Sequence, residues 1–438
     1  MNQHPLLIEV LAQALLGGEQ TPEAAAGRGK RALGSNWKWL PRLAQRYVAK
    51  FAGRVRPRLI EVIDFLRQDR GLANVYRLHR MHIENWIPEA PLMQPAKPWP
   101  VPSITTPGDL AHHFSLLPSE LDWFADLRQY QLRQANPRLD HYHYRVLSKP
   151  GSLRLIEAPK RRMKALQRRI LDDILVHVPP HDAAHGFVPG RSIKTFSAPH
   201  VGQSAVLRMD LRDFFPSIGR ARVQALFRTI GYPESVADLL GGICTTATPK
   251  RAWTNVTAER DRLHEARMLY RAPHLPQGAP TSPAIANLIA FHLDSRLTGL
   301  ATASGATYTR YADDLAFSGG DTFLRSAERF STHVAMILDE EGFSVNHRKT
   351  RIMRRGVRQY LAGVVVNDHL NIVRHDFDTL KAVLTNCARH GPASQNRTGH
   401  PNFRMHLEGR ISFVEMIHPA RGAKLRAIFQ SIPWDHVA

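Results

Sequence analysis

The stretch Thr307-Tyr308-Thr309-Arg310-Tyr311-Ala312-Asp313-Asp314-Leu315-Ala316-Phe317 decides the reading of this chain. Apolar and polar residues alternate with the period of a strand, which predicts two β-runs around a polar turn centred on Asp313. Adjacent acids repel each other, and a tight turn suits them poorly unless a cation compensates. An Asp-Asp pair in a turn is ordinarily solvated turn chemistry. Here Tyr308, Tyr311, Leu315 and Phe317 flank it, so the acids are presented from a buried hairpin. A second acidic position lies upstream, in Met209-Asp210-Leu211-Arg212-Asp213-Phe214-Phe215. Ala205 to Met209 reads as a short apolar strand, and Asp210 stands where it runs out. On a continuing strand Asp213 would face away from Asp210, so it is read as structural. Carboxylates placed in this way suit phosphoryl or nucleotidyl transfer, in which two divalent ions stabilise the attacking and leaving oxygens together. Mg²⁺ takes one or two carboxylates and completes its shell with phosphate and water.

Outward from these strands, Tyr144 to Leu147 and Leu153 to Ile156 flank Lys149-Pro150-Gly151-Ser152 and predict a hairpin with a proline-glycine turn. A helix is expected from Thr106-Pro107-Gly108-Asp109 onward, a second around Leu121 to Leu132, and another over Ala284 to Leu297. Strands and helices mix without regular βαβ spacing, so the fold class is α+β. Residues 1–87 read as a helical extension, with helices over Leu6 to Leu16, Leu40 to Phe51 and Leu59 to Leu66; Trp37, Trp39 and Trp86 read as core or interface anchors. Seven prolines between Pro88 and Pro107 mark residues 88–107 as a linker, because proline removes the N–H that ladders need.

The chain has 438 residues, 43% of them hydrophobic, enough for a sizeable core and two or three domains. Lys and Arg number 59 against 38 Asp and Glu, a formal charge of +21 that favours a polyanionic partner. Nucleic acid is the first reading and an anionic membrane surface the second. No run approaches the roughly 18 apolar residues of a spanning helix, and no basic segment precedes the first apolar stretch, so no membrane role is expected. Cys244 and Cys387 are the only cysteines, which excludes a disulfide scaffold and a CxxC zinc site. P-loop, HExxH and GxSxG motifs are absent, removing the usual support for an ATPase, a zincin protease or an α/β-hydrolase. A soluble protein of a reducing compartment is expected.

Asp210 with Phe214-Phe215, and Tyr311-Ala312-Asp313-Asp314, resemble the two catalytic motifs of reverse transcriptases. Between them, Leu275-Pro276-Gln277-Gly278-Ala279-Pro280-Thr281-Ser282-Pro283 resembles the family's intervening motif. Gly342-Phe343-Ser344-Val345-Asn346 through Lys349-Thr350, then Arg358-Gln359 and Gly363 to Asn367, resemble those that follow. His185-Gly186-Phe187 with Gly190-Arg191-Ser192-Ile193 resembles one that precedes. The bacterial retron enzymes match best, over about residues 107 to 435, as far as Gly409-Arg410-Ile411-Ser412-Phe413-Val414 at the thumb position.

The resemblance implies an RNA-directed DNA polymerase with a right-hand fold: fingers and palm over 108–375 and a thumb over 376–438. It implies that Asp210, Asp313 and Asp314 hold two Mg²⁺ ions, with the Leu211 carbonyl as a further ligand. Phe215 falls where an aromatic ring excludes a 2′-hydroxyl and selects dNTPs. Lys149 and Arg154 match positions that hold the triphosphate, and Gln277 and Gly278 the pair that approaches nucleotide and template. Arg145 to Arg169 carries nine basic residues against one acid, Glu157. Arg161 and Arg162 there are RNA-backbone contacts or solubility residues. Arg348 to Arg358 has six basic residues and no acid, so Lys349 and Arg358, with Arg191, are RNA-contact candidates. His200 is either an RNA contact or an ordinary hydrogen-bonded histidine.

A retron enzyme would act in the bacterial cytoplasm on a structured non-coding RNA. It would prime from a 2′-hydroxyl, copy part of that RNA into multicopy single-stranded DNA, and serve antiphage defence. Residues 1–87 would bind RNA, an effector protein or another copy of the chain. Two motifs depart from the retron pattern: Ser197-Ala198-Pro199-His200 stands for Asn-Ala-x-x-His, and Leu361-Ala362-Gly363 for Val-Thr-Gly. Both belong to cognate-RNA recognition in that family. The alternatives are a stand-alone defence-associated reverse transcriptase without a branched product and a non-catalytic RNA-binding protein of the same fold.

Overall fold

Strands buried on both faces take central places in a sheet, and Ala205 to Leu211, buried but for Arg208, sits in the middle of the largest sheet among the described residues. The structure is a computed structural model and describes residues 5–17, 20–52, 57–78, 81, 83, 99–133, 136–149, 152–254 and 256–434. The chain forms two units. One takes Met1–Val178 and Ile218–Ile285, the other Pro179–Ser217 and Ala286–Ala438. No helix among the described residues is long and apolar enough to cross a membrane.

In the first unit, helices Pro5–Leu16, Pro22–Leu33, Leu40–Lys50, Leu59–Gln68 and Arg70–Leu78 enclose a core of Leu11, Leu15, Leu40, Leu43, Tyr47, Val62 and Leu66. Three of the five match the helices expected from the sequence. Pro22–Leu33 contains Gly27 and Gly29, which weaken its helical pattern. Its start was nonetheless legible: Thr21 caps it, accepting from Ala24 N–H at 3.3 Å, with Pro22 at the first helical position. Trp37 and Trp39 pack on this core, whereas Trp86 and most of the proline-rich segment (88–98) lie outside the described residues.

The expected hairpin is β1 (Tyr142–Lys149) and β2 (Ser152–Pro159), antiparallel with Lys149 opposite Ser152. Its Leu155 packs with Trp253, Ala266 and Tyr270, brought by the helix Arg260–Leu269 and the turn before it. The expected helix over Leu121 to Leu132 is broken. Asp126 adopts φ 39° and its carboxylate accepts from Tyr130 N–H at 2.6 Å, so helix Pro118–Ala125 stops and Tyr130–Arg133 starts afresh. The stretch from Ala284 likewise divides, into Ser282–Ile289 and Phe291–Ala303.

The second unit is built on β3 (Ala205–Arg212), β4 (Ala306–Tyr311), β5 (Asp314–Gly319), β6 (Ser344–Val345) and β7 (Arg351–Arg354), all paired antiparallel. β5 runs beside β3 from Ala205↔Gly319 to Asp210↔Asp314. On the other side of β3 lie β7 and then β6. Val206 and Ala316 of the sheet share a core with Leu380 and Leu384 of helix Arg374–His390, Ile411 of Phe403–Ile417 and Leu425 of Pro419–Gln430.

Candidate active site

Register alone brings the acids together. Asp210 is the last β3 residue paired with β5, its partner is Asp314, and Asp313 occupies the turn that leads into Asp314. The main chain ties the two strand ends: Leu211 N–H donates to the Asp313 carbonyl at 2.8 Å. The hairpin turn is two residues long, Ala312-Asp313, and Ala312 has φ 56°. Such turns match strand twist only with positive φ, which costs an alanine more than a glycine. The surroundings hold this strain in place. A Cβ on Gly186 would come 2.5 Å from Ala312 N, so only glycine lets that loop lie on the turn.

Beneath the turn lies an arginine with no exposed surface. Arg310 donates to both Asp294 oxygens, Nη2 to Oδ2 at 2.6 Å and Nε to Oδ1 at 2.8 Å. Its Nη1 reaches Asn287 Oδ1 at 3.0 Å and the Ala312 carbonyl at 3.1 Å. Asn287 in turn donates to the Gly186 carbonyl at 2.8 Å, and Tyr308 Oη to Asp294 at 2.8 Å. Two bonds leave this network, one to the turn that carries Asp313 at the Ala312 carbonyl and one to the loop packed on it at the Gly186 carbonyl. The sequence reading missed it. Its one signal was an arginine inside a strand flanked by aromatics.

Each carboxylate has its own environment. Asp210 is buried and accepts from Lys349 Nζ at 2.8 and 3.0 Å and from Asn346 Nδ2 at 3.1 Å. Asp314 accepts from Arg208 Nη2 at 2.7 Å and Nε at 3.0 Å, both on Oδ1. Asp313 is pushed above the usual carboxylate range, first by burial, then by the negative charge of Asp210 and, more weakly, of Asp314. Among the described residues no group of three or more His, Cys, Asp and Glu side chains is gathered closely enough to enclose a metal ion. Lys349 and Arg208 supply positive charge to two of the acids, and the third is raised by its like-charged neighbours. The charge that Asp210 and Asp314 place beside buried Asp313 is of the kind a divalent cation relieves, and all three side chains offer the carboxylate oxygens that Mg²⁺ takes. Asp213 lies beyond the end of β3 with φ 49° and pairs with Arg212 at 3.3 Å, apart from this arrangement.

Phe215 is half-buried, its ring 5.6 Å from Phe214 and 6.3 Å from the exposed Phe187. In the first unit, Arg154 Nε donates to Gln277 Oε1 at 2.8 Å. Gly278 there has φ 133°, and a Cβ on it would meet the Glu157 carbonyl at 2.9 Å. Lys149 ends β1. The structure thus joins Arg154, Gln277 and Gly278 within one unit.

One of the RNA-contact expectations needs correction. His200 is fully buried, its ring nitrogens 2.6 Å from Ser318 Oγ and 2.7 Å from Thr309 Oγ1. Burial, with a smaller push from His185, lowers its pKa to about 3, so it is a neutral scaffold histidine with no face for RNA. Lys349, exposed along its stem, is paired with Asp210. Arg191 ties its own loop, reaching the carbonyls of Asp182 and Ala184 and the Asp182 carboxylate. Arg162 pairs with Glu120 at 2.6 Å and lies over the Phe124 ring. Arg161 and Arg358 are exposed, the latter over Tyr360.

Residues 146–371, just over half of the chain, match the family model described as reverse transcriptase (RNA-dependent DNA polymerase). Among curated proteins, the retron Mx65 reverse transcriptase of Myxococcus xanthus is 43% identical over 304 residues, 68% of this chain and 66% of that protein. The retron Mx162 reverse transcriptase of the same organism is 36% identical over 328 residues, 72% of this chain and 64% of that protein. The retron Ec86 reverse transcriptase of Escherichia coli is 31% identical over 249 residues, 56% of this chain and 69% of that protein. The chain therefore spans just under two thirds of the length of the two Myxococcus relatives. Asp210, Asp313 and Asp314, with the hairpin and loops that hold them, all fall inside the matched segment, and the chain belongs to the reverse transcriptase family, among its bacterial retron-type members.

Proposed function

We propose that this chain is an RNA-directed DNA polymerase of the retron kind, copying a structured non-coding RNA into single-stranded DNA. The observation that carries the reading is the strand-end register that sets Asp210 opposite Asp314, with Asp313 held in a strained turn between strands. Asp210 and Asp313, with Asp314 beside them and the Leu211 carbonyl as a further ligand, would hold two Mg²⁺ ions. Bound there, the ions would activate the primer hydroxyl and neutralise the departing pyrophosphate. Lys149 and Arg154 would hold the triphosphate of the incoming dNTP, while Gln277 and Gly278 set its position against the template. Arg161, Arg162, Lys349 and Arg358 are the exposed candidates for the RNA backbone.

In this reading residues 108–375 are the fingers and palm of a right-hand polymerase and 376–438 its thumb. The helical residues 1–87 would serve an effector protein, RNA or self-association. The expected setting is the bacterial cytoplasm, and the expected role antiphage defence through a branched RNA–DNA product.

Primer extension by the purified protein on an RNA template tests this directly. DNA synthesis from dNTPs should require Mg²⁺ and stop on chelation. Phe215→Val should keep dNTP use and raise incorporation of rNTPs relative to dNTPs on the order of tenfold or more. Unchanged discrimination would assign Phe215 to the core alone.

A further inference from the structure

Glu157 is the single acid in the basic stretch 145–169, and it is wholly buried. Its Oε2 lies 2.9 Å from Nε2 of His274, which is 1% exposed, and its Oε1 accepts from Thr248 Oγ1 at 2.8 Å. On its other side His274 Nδ1 lies 2.7 Å from the Ala272 carbonyl. A carbonyl only accepts, so Nδ1 carries a proton; facing a carboxylate, Nε2 carries one too. Burial alone would push this imidazole toward neutrality, but the charge and hydrogen bond of Glu157 outweigh it and raise its pKa.

The main chain of these two residues holds the loop that follows. Glu157 N–H donates to the Gln277 carbonyl at 2.9 Å, and a Cβ on Gly278 would come within 2.9 Å of the Glu157 carbonyl. His274 exchanges two backbone hydrogen bonds with Thr246, at 3.0 and 2.9 Å. Arg154, three residues before Glu157 on β2, grips the Gln277 side chain. The start of the loop is thus fixed through His274 and its middle through Gln277 and Gly278, all on one residue of the hairpin. An ion pair is a poor way to stabilise a core, since apolar residues of similar size do as well or better. What it adds is direction.

We propose that Glu157 and His274 are positioning residues, a buried pair that fixes the Gln277–Gly278 loop on the β1–β2 hairpin for the incoming nucleotide. The inference rests on the polymerase reading above. Its test is steady-state primer extension with separate KM values for dNTP and for primer–template, alongside thermal melting. The double variant Glu157→Leu/His274→Leu should fold, raise the dNTP KM about tenfold, and leave kcat and the primer–template KM within about threefold. Glu157→Gln keeps the shape, donating to a neutral imidazole while accepting from Thr248, and should stay within about twofold of wild type.

A folded double variant with the wild-type dNTP KM overturns the proposal. If the double variant shows no cooperative melting, Thr248→Val decides: it should raise the dNTP KM about threefold, and an unchanged value overturns the proposal. A wild-type protein that incorporates no dNTP overturns instead the polymerase reading on which the pair's role depends.

Discussion

Asp313→Asn is expected to lower nucleotide incorporation about a thousandfold or more, the several kcal/mol that a cation at the reacting oxygens contributes. Asparagine keeps the shape of the side chain and removes its charge. Burial and the neighbouring Asp210 and Asp314 already raise the Asp313 pKa, so the folded protein tolerates the neutral form and its melting temperature should not fall. RNA affinity should be kept or slightly raised, because one negative charge near the phosphates disappears. Primer extension and RNA binding on the same preparations separate the two effects. Retained polymerisation would remove Asp313 from the metal-holding role, and lost RNA binding with lost activity would point to a folding defect.

The second large effect is on stability. Arg310→Met should destabilise the protein by roughly 3–5 kcal/mol, because it leaves Asp294 as an uncompensated buried charge. Both side chains are 0% exposed, so water cannot take over the lost bonds. The same change frees the Ala312 carbonyl and one side of Asn287, loosening the turn that carries Asp313. Denaturant unfolding should therefore show the loss, and residual activity at low temperature should fall further than stability alone requires. Adding Asp294→Leu to Arg310→Met should restore much of the stability, since an apolar pair leaves no orphan charge, but not the activity. Recovery of both would reduce Arg310 to a packing residue.

Much of this site was legible because its signals are local. The period-two pattern from Thr307 to Phe317 and the apolar run before Asp210 each specify a strand or turn within a few residues. What could not be read depends on partners far away in sequence. Arg310 meets Asp294 and Asn287, 16 and 23 residues back, and Lys349 meets Asp210 across 139. A run of six basic residues looks like a solvated face, and nothing within it says that one lysine turns toward a buried acid. His200 shows the same limit, since its two hydroxyl partners lie on β4 and β5, more than a hundred residues on. Pro22–Leu33 failed for a different reason: its glycines hide a helix that tertiary packing and a good cap nonetheless secure.

The most direct measurement is to purify the wild-type protein and the Asp313→Asn variant from cells. All bound nucleic acid is then sequenced, with and without RNase and debranching treatment. The wild type should carry one RNA joined to a DNA copy of part of it, and the variant the same RNA with no DNA. DNA that is unbranched, or unmatched to any bound RNA, would contradict the retron reading and turn attention to the altered motifs at 197–200 and 361–363. DNA in neither sample would contradict the polymerase itself.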